Sequence, residues 1–77
     1  MADENDLKRI LRTAAYASKK SPTEQQLNEA VSEIVKKTAI NTSDLLSIGR
    51  QVANDSEIFA VADPDDVNDV LARIRNK

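Results

Sequence analysis

The sequence predicts an all-α fold: a small bundle of four main helices, with a short fifth helix or an apolar plug segment before the last one. Three observations carry this. The 77 residues hold one glycine, Gly49, and no Asn-Gly or Asp-Gly pair of the kind that closes tight hairpins. Aromatic residues make up 3% of the chain, Tyr16 and Phe59 alone, so residues that favour strands are scarce. Apolar residues recur at helical spacing in four stretches, and the two prolines, Pro22 and Pro64, each follow a capping residue.

The first helix is expected from Glu4 to Lys19, with Asp3 or Asn5 as its cap. Leu7, Ile10, Leu11, Ala14 and Ala17 form its apolar stripe. The second is expected from Pro22 to Thr38. Ser21 would be its N-cap, Pro22 its first helical residue and Glu24 the partner in a capping box. Leu27, Val31, Ile34 and Val35 then face inward, with Ala30 beside them. The third is expected from Ser43 to Asn54, capped by Thr42 or Ser43, with Leu45, Ile48 and Val52 inward. The fourth is expected from Pro64 to Arg75. Asp63 is its cap, acidic residues fill the first turn, and Val67, Val70, Leu71 and Ile74 face inward. Residues 56–62 are too apolar to lie free, so they form the fifth helix or plug the core with Phe59. The expected core is Leu7, Ile10, Leu11, Leu27, Val31, Ile34, Leu45, Ile48, Val52, Phe59, Val67, Val70, Leu71 and Ile74.

Residues 1–77 read as one helical domain, because a chain this short holds a single core. A chain of this size buries only about 60–65% of its unfolded surface, so self-association into a homodimer is a natural way to bury more. No apolar run approaches the ~20 residues that span a bilayer, and no signal peptide opens the chain. It is expected in the cytoplasm, with no membrane partner.

Composition also narrows the chemistry. There is no cysteine, histidine or tryptophan. A disulfide framework, a Cys/His zinc site, a thiol nucleophile and histidine acid–base catalysis are therefore excluded. The serines have no histidine to activate them, and a single glycine cannot build a phosphate-cradling loop. Asp63, Asp65, Asp66 and Asp69 lack the ligand spacing of a calcium loop and suit the positive end of a helix dipole. The chain is read as having no catalytic residues, no metal and no cofactor, and as not being an enzyme.

Net charge is 11 − 13 = −2, but it is unevenly spread. Between Leu7 and Lys20 lie five basic residues and no acidic one; between Asp55 and Asp69 lie six acidic residues and no basic one. At about 100° per residue, Arg9, Arg12, Tyr16 and Lys20 share the face of the first helix opposite its apolar stripe. An outward tyrosine among arginines suits a protein interface, since both residue types are enriched where binding energy concentrates. The leading reading is therefore a non-enzymatic protein-interaction module, an adaptor, inhibitor or small regulator, that binds a protein partner through Arg9, Arg12, Tyr16 and Lys20.

The alternative is a DNA-binding regulator using residues 34–51. Ile34, Val35, Ala39, Ile40, Leu45 and Ile48 follow the apolar spacing of a helix-turn-helix. Thr42, Ser43, Asp44 and Ser47 would then read bases, with Arg50 and Gln51 further on and basic support from Lys36, Lys37 and Arg50, although Asp44 is ill placed beside phosphates. Residues 21–35 (Ser21-Pro22-Thr23-Glu24, then Leu27, Ala30, Val31, Ile34 and Val35) are also similar to the start of the DEK C-terminal domain. That resemblance implies a small helical DNA-binding fold. It covers fifteen residues and lacks the family's basic character, so it adds weight only to the nucleic-acid alternative.

Overall fold

The computed structural model describes residues 2–76, and apolar periodicity organises them into α1 (Ala2–Ala17), α2 (Glu24–Val35), α3 (Thr42–Ala53) and α4 (Pro64–Arg75). No strand forms among the described residues. No helix among them is long and apolar enough to cross a membrane.

The ends of the helices show which local signals prevailed. α1 begins and ends two residues earlier than expected, so Asp3 and Asn5 lie inside it rather than at its cap. Its last turn closes when the Lys20 N–H donates to the Ala15 carbonyl at 2.8 Å and the Lys19 N–H to that of Tyr16 at 2.9 Å. Lys19 takes a left-handed conformation, φ 60°, which stops the helix and turns Lys20 out of its register.

The N-cap of α2 is Thr23, not Ser21. Its Oγ1 accepts the Gln26 N–H at 3.1 Å, and the Gln26 side chain accepts the Thr23 N–H at 2.9 Å. Two overlapping boxes fit the sequence, and the second leaves the Glu24 carboxylate free to meet α1. α2 also stops at Val35 rather than Thr38; beyond it the Lys37 carbonyl and the Ile40 backbone are hydrogen-bonded by side chains of α4.

The N-cap of α3 is Asn41, not Thr42 or Ser43. Its side chain accepts the Asp44 N–H at 2.9 Å, and the Asp44 carboxylate accepts the Asn41 N–H at 3.1 Å. That reciprocal pair outweighs a hydroxyl cap one or two residues later. α3 ends at Ala53, and Asn54, expected to be its last residue, is left-handed at φ 52°. α4 spans the expected residues, with the Asp63 carboxylate accepting the Asp65 N–H at 2.9 Å.

No fifth helix forms between α3 and α4. Residues 55–62 make successive turns, in which the Ile58, Ala60 and Ala62 N–H groups donate to the carbonyls of Asp55, Glu57 and Phe59. Phe59 is wholly buried, with Ile58 and Ala62 beside it in the core.

The buried residues form one cluster. It includes the expected core except Ile10, Val52 and Ile74, which pack partly exposed at its margin. Ala15, Ile40, Ile58 and Ala62 are buried as well, whereas Ala17, expected on the α1 stripe, is exposed. Asp6 of α1 meets Arg73 near the end of α4 at 3.6 Å, while Thr13 and Ala17 line a groove with Val61 and Asp66 near its start. The two helices therefore run antiparallel.

Candidate interaction surface

Leu7, Leu11, Ala14 and Ala15 turn one side of α1 into the core, and a 3.6-residue period then sets the opposite side in water. Arg9 and Tyr16 lie on that outer face, and Tyr16 is 60% exposed. Only two large apolar side chains among the described residues are that open, Tyr16 and Val61.

The four expected site residues are not one cluster. Arg12 leans toward α2, where its guanidinium lies 3.3 Å from the Glu24 carboxylate, and Lys8 reaches the same carboxylate at 2.5 Å. Arg9 pairs with Asp6 at 3.1 Å, one turn back on α1, and Asp6 is shared with Arg73. Lys20 lies past the helix end and pairs with Asp55 at 2.9 Å. Thus Arg9, Arg12 and Tyr16 share the α1 surface, and Lys20 is drawn toward the turn after α3.

Pairing leaves these cations unequal. Glu24 and Asp6 each serve two cations, so each triad keeps a net charge of +1. Lys20 and Asp55 match one to one and leave none. The Lys8 hydrogen bond, and then its charge, hold the Glu24 carboxyl below its ordinary value. The hydrogen bond to Asp55, and then its charge, push the Lys20 ammonium up, and the same hydrogen bond holds Asp55 down.

Beside this face runs an open groove of about 330 Å³, between α1 and the turn that enters α4. Ile10, Ala14, Ala17, Val61 and Ala62 supply its apolar lining, with Arg9 on one rim and Asp63 and Asp66 on the other. Asp65, Asp66 and Asp69 are exposed and make no ion pair among the described residues. No group of three or more His, Cys, Asp or Glu among those residues is placed to hold a metal.

The α2–α3 pair has a different surroundings from that of a free helix-turn-helix. Residues 36–41 connect the two helices, and α4 holds them: the Ile40 N–H donates to Asn68 Oδ1 at 2.7 Å, and Asn68 Nδ2 donates to the Ile40 carbonyl at 2.9 Å. The Arg75 guanidinium donates to the Lys37 carbonyl. Thr42, Ser43, Ser47, Arg50 and Gln51 are exposed on α3, while Asp44 is occupied with capping and Lys36 pairs with Glu33 at 3.1 Å.

Sequence reasoning missed the groove and Asn68. The groove depends on how α4 sets against α1, which no single helix encodes. Asn68 gave a faint signal: a residue of poor helix propensity between Val67 and Val70, on the edge of an apolar stripe. No family model, no curated protein and no solved structure matches this chain, so its function is read from its own residues.

Proposed function

We propose that this chain is a non-enzymatic, cytoplasmic adaptor, inhibitor or small regulator that binds an acidic protein partner through the outer face of α1. Tyr16 is the anchor, Arg9 and Arg12 flank it, and Lys20 lies at the edge. The single observation that carries this reading is the 60% exposure of Tyr16 between two arginines whose acidic partners are each shared with a second cation.

The physical reasons are these. A tyrosine in that position adds little to the core, so its contribution to folding is small. It offers a rigid, amphipathic ring at a low cost in conformational freedom. A partner carboxylate can take Arg12 without stranding Glu24, because Lys8 stays on it. The same holds for Arg9, since Arg73 stays near Asp6. Lys20 has no such relief and contributes least. Residual positive charge on α1 steers an acidic surface toward it and away from the carboxylates of α4.

Co-purification from the native host, eluted with salt, tests this reading. An acidic protein retained by the chain and lost from a Tyr16→Ala version is the expected result. Binding of random duplex DNA in a gel shift, weakening steeply between 50 and 200 mM salt, would instead favour the surface of residues 34–51.

A further inference from the structure

We infer that the groove between α1 and the start of α4 docks a basic amphipathic helix of a partner protein. This goes beyond the reading above: apart from Arg9, which borders both surfaces, it uses other residues and the opposite sense of charge.

The groove floor comes first. Ala14, Ala17, Val61 and Ala62 present carbon to an open channel of about 330 Å³, the small end of the ~300–1,000 Å³ typical of ligand pockets. Val61 is 60% exposed at its edge, although residues 58, 59 and 62 of the same turn stretch are buried. The fold therefore leaves one apolar side chain of that segment pointing away from the core and beside the groove.

The rim decides what fits. Asp63 and Asp66 line the α4 side, and Asp65 and Asp69 lie exposed on the first turns of the same helix. Asp63 spends one oxygen on its cap, and none of the four makes an ion pair among the described residues. By contrast, Arg9 on the opposite rim already has Asp6. The groove is thus negative along its α4 rim, while the Arg9 rim keeps the single residual positive charge of the Arg9–Asp6–Arg73 triad. An occupant needs an apolar stripe with lysine or arginine along one flank. Because the groove walls are a helix and the entry to its antiparallel neighbour, a third helix matches their shape best.

The test is a titration of the ¹⁵N-labelled full chain with a 14-residue helical peptide of leucine and lysine, the leucines at i, i+3, i+4 and i+7. The amides of Thr13, Ala17, Val61, Ala62 and Asp66 should shift together, and affinity should fall as salt rises. Ala17→Lys, which fills an exposed position of the floor and repels a basic occupant, should weaken binding about tenfold or more; Thr13→Lys serves if that protein does not fold. Asp65→Asn with Asp66→Asn should also weaken it. Arg12→Ala, on the α2 flank, should leave it unchanged, which separates this site from the α1 face. The inference is overturned if those amides stay still, if a leucine–glutamate peptide moves them equally, or if the blocking variants bind as tightly as wild type. It is also overturned if the same amides shift with protein concentration alone, because the groove then takes a second copy.

Discussion

The connections 36–41 and 54–63 both return the chain to α4's neighbourhood, but by different forces. The longer one is packed by carbon: Ile58, Phe59 and Ala62 are buried, and turns pair the Ile58 and Ala62 N–H groups with carbonyls of the same stretch. The shorter one buries only Ile40 and is held by polar side chains of α4, Asn68 on Ile40 and Arg75 on Lys37. A loop can thus be fixed by what it buries or by what another helix offers its backbone. The first kind is announced by its own residues. The second is visible only once the partner helix is in place.

The largest effect should come from emptying the carbon-packed connection. Phe59→Ala is expected to cost about 3–5 kcal/mol, a large part of the stability of a domain this small. Urea melts measure it. A variant that melts like wild type would show that the connection is not anchored by Phe59.

Gly49→Ala is the next test of the same segment. Within a helix the change should gain about 1 kcal/mol. Here the added Cβ would lie 2.6 Å from the Asp55 carbonyl oxygen and 2.9 Å from Ile58 Cγ2. Displacing that backbone is expected to cost about 1–3 kcal/mol, so melts should show no gain and at most a net loss of about 2 kcal/mol. A stabilised variant would mean that residues 54–58 do not pack against α3 as closely as described.

The polar connection should yield less. Asn68→Ala removes two hydrogen bonds and is expected to cost about 1–2 kcal/mol. Hydrogen exchange should speed up at Ile40 more than at Phe59. Equal acceleration at both would erase the distinction between the two connections.

Acid should separate them most finely. Asp55 accepts the Glu57 N–H and pairs with Lys20, which ties the carbon-packed connection to the end of α1. Its pKa is lowered from 3.8, so the stability it lends is present above that value and is lost as pH falls through its folded pKa. Lys20, raised from 10.5, lends stability that is present below that value and lost as pH rises through its folded pKa. Asn68 does not titrate. As pH falls through 3.8 and below, exchange should therefore loosen residues 54–57 more than residues 37–40, and Asp55→Asn should remove the difference. Identical acid responses in the two segments would contradict this assignment.

Much of the bundle was legible because its rules are local. The apolar stripes located four helices, and Asp63-Pro64 placed the start of α4 to the residue. The caps of α2 and α3 were not, because overlapping sequences satisfy the same pattern and tertiary contacts choose between them. Thr23 prevailed over Ser21 where Glu24 could reach Lys8 and Arg12. Ala17 was expected inside, but it lies in the last turn of α1, where the groove leaves it open. The outward position of Tyr16 followed from helical period alone. The pairing of Arg9, Arg12 and Lys20 did not, since Asp6, Glu24 and Asp55 come from three different stretches of chain.

Binding of the co-purified partner to the double variant Arg12→Ala, Tyr16→Ala, measured by calorimetry beside its thermal melt, tests most directly whether α1 is the functional face. Stability should stay within about 1 kcal/mol of wild type, as at surface positions generally. Binding should weaken by about 2 kcal/mol or more, roughly thirtyfold. A double variant that folds and binds the partner as wild type does would contradict the assignment of function to α1.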